Sequence, residues 1–248
     1  MTFQDHYSSR ASEYARARPT YPPALFAHLA ALAPANDLAW DCGTGSGQAA
    51  LGLISRFRHV VATDPSAAQL AESPPHARIS FRVASESASG LAPASAGLVT
   101  AAQAAHWYDL YAFNAEARRV LRPRGVVAVW CYGLCRIAPA IDHLLDRFSS
   151  MTVGPHWPPE RRYVDHAYRT LPFPFAELRF PSFAMEHWWT LGDLAAYVAT
   201  WSAVARYSRQ TGIDPVPRFL DAVAPLWGSP DRPRRTRWPL SGRIGRAP

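Results

Sequence analysis

Lysine is absent from this chain, so all 26 of its basic residues are arginine. Against 19 acids this leaves a formal charge of +7, a balance that raises the question of a nucleic-acid partner. The arginines come with abundant alanine and 23 prolines, and this joint bias reads as genomic base composition rather than as a phosphate-binding surface. The clearest cluster, Arg232, Arg234, Arg235 and Arg237, is short and reads as a solvated face. No nucleic-acid partner is expected. Cysteine is scarce as well. Cys42, Cys131 and Cys135 stand without neighbouring histidines, a spacing that excludes the usual metal sites and fits reduced thiols in a cytoplasmic protein. Long apolar runs are missing, and Met1 to His6 carries no apolar signal region, so neither a membrane span nor export is expected. Nothing looks like a linker, and 248 residues suffice for one large α/β domain with a sizeable core.

The chain is organised around Leu38-Ala39-Trp40-Asp41-Cys42-Gly43-Thr44-Gly45-Ser46-Gly47-Gln48. Apolar residues run into an acid, glycines alternate at 43, 45 and 47, and Ala49 to Ile54 reads as the first turns of a helix. Glycine lets the backbone turn sharply and lets a ligand approach without meeting a Cβ, while free helix N–H groups point into the same space. A dinucleotide fingerprint would put its third glycine at position 48, where the chain has Gln48. Asp64 closes the next apolar run, His59 to Thr63. An acid at the end of the second strand, about 20 residues past the glycines, is placed to accept both hydroxyls of a ribose. It also suits a helix N-cap for Pro65 to Ala68, and one carboxylate can do both.

The G-x-G-x-G run preceded by Asp41, with Asp64 after it, resembles motif I and the acidic second-strand end of the class I S-adenosylmethionine (SAM) dependent methyltransferases. Ala102-Gln103-Ala104-Ala105-His106-Trp107-Tyr108-Asp109 is similar to the A-x-Q-A-x-H-W-F-D segment of a small-molecule subfamily, the trans-aconitate-type enzymes with a methyltransferase type 11 domain. Tyr108 stands where that family usually has phenylalanine. The resemblance implies a Rossmann-like α/β fold: a seven-stranded, mostly parallel sheet with helices on both faces, an antiparallel last strand and an N-terminal helical cap. It implies S-adenosyl-L-methionine as cofactor and S-adenosyl-L-homocysteine as product. Cofactor contacts then fall to Asp41, Gly43, Gly45, Gly47, Asp64 and Gln103, with Ser85 and Glu86 in the slot that reads adenine and Arg18 pairing with the methionine carboxylate or an acidic acceptor. Tyr7, Tyr14, Trp107 and Tyr132 are placed against the substrate, and His106 is the candidate general base. A carboxylate acceptor would need no base, and His106 would then only position it.

The expected segments are a cap and first helix over 1–33, a cofactor core over 36–135, a variable substrate insertion over 136–175 and a completion of the sheet over 176–248. Helices are expected over Pro23 to Leu32, Ser66 to Glu72, Tyr111 to Leu121 with Glu116 on its outer face, Ile137 to Phe148, Leu191 to Tyr207 and Pro215 to Trp227. A fifth strand is expected from Val126, after the turn Arg122-Pro123-Arg124-Gly125, where the family resemblance has Leu-x-Pro-Gly-Gly and Arg124 departs from it, and late strands are expected over Glu177 to Glu186 and Thr236 to Gly245. The function that follows is methyl transfer to a small molecule, a carboxylic acid or an aromatic natural product, by a monomer or homodimer. The alternatives are a non-catalytic SAM-binding regulator, an RNA methyltransferase suggested only by the arginines, and a nicotinamide-dependent oxidoreductase. The last is disfavoured by Gln48 and by the lack of any Tyr-x-x-x-Lys pair.

Overall fold

A computed structural model describes residues 20–247. The segment expected to form the cap, with Tyr7, Tyr14 and Arg18, lies outside the described residues. The first described helix, α1 (Pro23–Leu32), opens on a proline at its first turn, where no N–H is needed. The chain then alternates strand and helix: β1 (Leu38–Cys42), α2 (Gln48–Leu53), β2 (His59–Asp64), α3 (Ala67–Ala71), β3 (Ile79–Val83), β4 (Ala96–Ala102), α4 (Leu110–Val120) and β5 (Leu121–Tyr132). The second part contains α5 (Pro139–Arg147), the short α6 (Arg161–Asp165), β6 (Ala176–Leu178), β7 (Phe183–Trp189), α7 (Leu191–Ala199), α8 (Ser202–Thr211), α9 (Val216–Trp227) and β8 (Arg234–Arg246).

Strands lie side by side in the order β3-β2-β1-β4-β5-β8-β6, and β7 pairs with β8 off that path. The first five are mutually parallel, and β8 runs antiparallel to each of its neighbours. The expected sheet is therefore present, with its sixth strand divided into β6 and β7 on either side of Pro181, which has no N–H to give a ladder. In β5, Val126, Ala128, Trp130 and Tyr132 face one core while Val127, Val129 and Cys131 face the other. A strand buried on both faces reads as an unbroken apolar run, which is why the central strands are visible in the sequence.

Three expectations change. The helix over Leu191 to Tyr207 is broken: Thr200 returns its hydroxyl to the Tyr197 carbonyl at 2.6 Å, and Trp201 takes an extended backbone that sends its ring into the core beside Trp157 and Tyr197. Strand five begins at Leu121, ahead of the turn where it was expected to start, through a register shift between Ala96 and Leu98. Glu116 is buried rather than outward, accepting from the Ser89 N–H and hydroxyl and from Arg119. The Arg119 bond, with the Ser89 donors, outweighs burial and holds this carboxyl down to about 2.

Strand order reverses between β1 and β4, and ligands of open α/β sheets bind in the crevice at the carboxyl ends of such a pair. The glycine loop, Asp64 and the Gln103 to Asp109 segment all leave the sheet at that edge.

Candidate active site

The loop after β1 is held from below. Asp41 is fully buried, and its two carboxylate oxygens accept the hydroxyls of Thr44 at 2.6 Å and Thr100 at 2.7 Å. Burial, aided by the nearby Asp64 charge, outweighs these bonds and raises its carboxyl to about 6. Above it Gly43 and Gly47 take left-handed backbone at φ +64° and +85°, a conformation costly for other residues. A Cβ on Gly43 would stand 2.3 Å from the Tyr108 hydroxyl and 2.6 Å from Ala104, so the loop and the His-Trp-Tyr segment touch only because position 43 has no side chain.

Asp64 ties the loop to the next helix. One oxygen accepts the Gly45 N–H at 2.9 Å and the other the Ser66 N–H at 2.8 Å. The cap of α3 is Ser66, whose hydroxyl accepts the Gln69 N–H at 3.2 Å. Asp64 thus organises the turn without being the cap, and its carboxylate stands at the carboxyl end of β2 beside the glycine loop. Ser85 and Glu86 are engaged locally: the Ser85 hydroxyl pairs with that of Ser87 at 3.0 Å, and Glu86 accepts the Asp109 N–H at 3.2 Å.

Past the ends of β4 and β5 opens a cleft of about 550 Å³ that includes Gln103, His106, Trp107 and Tyr132 in its walls. The Gln103 amide is paired at both ends with the Tyr132 backbone, accepting its N–H at 2.9 Å and donating to its carbonyl at 3.1 Å. It clips the two strand ends together, which sets the rim of the cleft. His106 is buried, packs on Trp107 with ring centroids 4.7 Å apart, and shares a hydrogen bond of 2.7 Å between its Nδ1 and the Tyr168 hydroxyl. Burial, with the Arg161 charge, lowers its pKa to about 3, so the imidazole is neutral at neutral pH. The three thiols are buried, and burial pushes Cys42 far up and Cys131 and Cys135 to about 12. They are inert.

The far wall comes from the insertion and from α7 and α8: Trp157, Arg161, Val164, Tyr197 and Trp201. Arg161 is the one charged residue lining the cleft among the described residues. Its Nε donates to Asp165 at 2.8 Å and its guanidinium lies over the Trp157 ring at 4.3 Å. No hydrogen bond among the described residues uses its terminal nitrogens. The sequence marks this insertion by its proline, arginine and aromatic content, but only the fold brings its residue 161 to within electrostatic reach of His106.

Residues 40–129 match the model of a methyltransferase domain family. A solved structure from Anaeromyxobacter dehalogenans, assigned to the type II methyltransferases, is 47% identical and superposes with a TM-score of 0.87, covering 92% of this chain and 97% of that one. A protein of Dictyostelium discoideum assigned as a methyltransferase is 29% identical over 233 residues, 92% of this chain and 89% of its own length. The YcgJ protein of Bacillus shares the fold at 12% identity, with a TM-score of 0.53 over 90% of this chain and 98% of that one.

Proposed function

The chain belongs to the class I S-adenosylmethionine-dependent methyltransferases, and we propose that its acceptor is a flat aromatic small molecule carrying one anionic group, a carboxylate or a phenolate. Its cofactor is SAM, and the residues present suit that group: a glycine cradle, an acid at the end of the second strand on the ribose side of the loop, and a buried carboxylate, Asp41, beneath a loop that would carry the α-ammonium of the methionine tail. When bound, the cofactor supplies an electrophilic methyl group on a sulfonium.

Methyl transfer needs dry, close alignment more than proton chemistry, and the cleft matches that need. Trp107, Trp157 and Trp201 give the cleft an aromatic lining suited to a flat ring. Arg161, pinned at Nε by Asp165 and at its face by Trp157, turns the rest of its fork to an anion. A histidine lowered to about 3 is too weak a base to collect a proton at neutral pH, so His106 holds the acceptor, with Tyr168 fixing its ring. An acceptor already ionised has no proton to lose, which agrees with the cation opposite. The observation that carries the reading is Arg161, the one cation among the described residues that line this aromatic cleft.

Initial rates with labelled SAM and a panel of aromatic carboxylic acids and acidic phenols, set against neutral alcohols and amines on the same rings, test it. The anionic members are expected to react. Arg161→Met should raise the acceptor KM by about 10- to 100-fold, the loss of a charged hydrogen bond, with the affinity for S-adenosylhomocysteine unchanged. Methylation restricted to the neutral members, or an unaltered KM, would refute the assignment.

A further inference from the structure

Gln69 lies in the first turn of α3, and its side chain is an anomaly of the site. The residue is 6% exposed, yet among the described residues neither its amide oxygen nor its amide nitrogen has a hydrogen-bond partner. Buried polar groups are nearly always paired, and one left open is costly compared with an apolar side chain of the same shape. Its position points to what pairs with it. The Gln69 Oε1 lies 3.6 Å from the point where a Cβ of Gly45 would stand, and the Gly45 N–H is the one that Asp64 Oδ2 accepts. The open amide and the ribose acid therefore flank the same glycine of the loop.

We infer that Gln69 reads the base of the cofactor's nucleoside, its amide pairing with the amino group and an adjacent ring nitrogen of adenine. This rests on the assignment of SAM to the loop. A carboxylate is acceptor-only and suits the two sugar hydroxyls, whereas a primary amide offers one donor beside one acceptor, the complement of the adenine edge. The side chains expected to read the base each already make a local bond, Ser85 with Ser87 and Glu86 with the Asp109 N–H, whereas both ends of the Gln69 amide are open among the described residues. Gln69 is thus unsatisfied in the free protein and satisfied in the complex. The same group that stabilises binding destabilises the empty fold.

The two effects have opposite signs, and one substitution separates them. S-adenosylhomocysteine and its analogue lacking the purine 6-amino group are titrated calorimetrically into wild type and Gln69→Met, and both free proteins are melted. Wild type should bind the analogue about tenfold more weakly than the parent. Gln69→Met should bind both alike, at the weaker level, and the free variant should melt roughly 2–4 °C higher than wild type. Full affinity for the parent in Gln69→Met, a retained preference for the amino group, or a lowered melting temperature would overturn the inference while leaving the cofactor assignment standing. A wild type that binds no S-adenosylhomocysteine would overturn both. If the variant does not accumulate, equal binding of the two ligands by wild type alone is sufficient to reject the role.

Discussion

Asp41 shows how burial and hydrogen bonding compete at a single residue of the loop. Its carboxyl is raised to about 6 because burial costs the charge more than Thr44 and Thr100 return. A carboxyl raised on folding contributes its stability when protonated. That contribution is complete below about pH 3.8, the unfolded value, and is lost as the pH rises through about 6. The loss amounts to about 3 kcal/mol for this group. On the proposed cofactor placement binding follows the opposite sign, since the α-ammonium of the methionine tail above the loop favours the ionised form. SAM affinity should therefore rise about tenfold between pH 5 and 7 and level off above, while the contribution of Asp41 to the melting temperature of the free protein falls over the same range. Calorimetry and thermal melts across pH check this, and Asp41→Asn should flatten both curves. The residue type and its place before the glycines are visible in the sequence. The two threonine hydroxyls that hold it are not, because Thr100 lies 59 positions away and meets it only through the β1–β4 register.

At the scale of elements, the irregularity near the start of β5 runs through Arg124 at φ +63°, where the resemblance noted in the sequence puts glycine. The side chain is exposed, and the Arg124 carbonyl accepts from Arg246, a bond that does not depend on the side chain. A left-handed arginine costs about 1 kcal/mol that glycine does not, partly offset by the extra freedom glycine has when unfolded. Arg124→Gly should raise the melting temperature by roughly 1–3 °C with unchanged methyl transfer, as differential scanning fluorimetry and an activity assay would show. The elements themselves are legible where local signals agree: α1 occupies Pro23–Leu32 as its proline start and apolar face predict. Legibility fails where tertiary demand overrides the local pattern. Trp201 breaks a helix to fill the core, and Glu116 turns inward because Ser89, 27 positions earlier, brings two donors to it.

Across the whole molecule the last strand does the joining. The second half of β8 fills the gap between β5 and β6, and its first half carries β7. Trp238 is fully buried where the two halves meet the helices: its ring lies 4.5 Å from Trp189 and 5.6 Å from Tyr197 between centroids, and its Nε1 donates to the Tyr197 hydroxyl at 3.2 Å. Tyr197 also lines the acceptor cleft, so the packing of the sheet edge and the shape of the site are continuous. Trp238→Ala should destabilise the protein by about 3–5 kcal/mol, read from chemical denaturation. Trp238→Phe, which loses the N–H and part of the ring volume, should lose roughly 1.5–3 kcal/mol.

The sequence by itself determined the cofactor half of this protein: a strand, a bend freed by glycines at 43, 45 and 47, a helix, and an acid one strand later. Those signals are local, and their chemistry depends on backbone conformations that few residue types allow. Only the tertiary structure decided the acceptor half. Arg161 and Tyr168 reach His106 from about 60 positions away, and Gln69 is left open beside Gly45, because burial, pairing and charge depend on which distant segments pack together. Spacing along the chain records the first kind of constraint and is blind to the second.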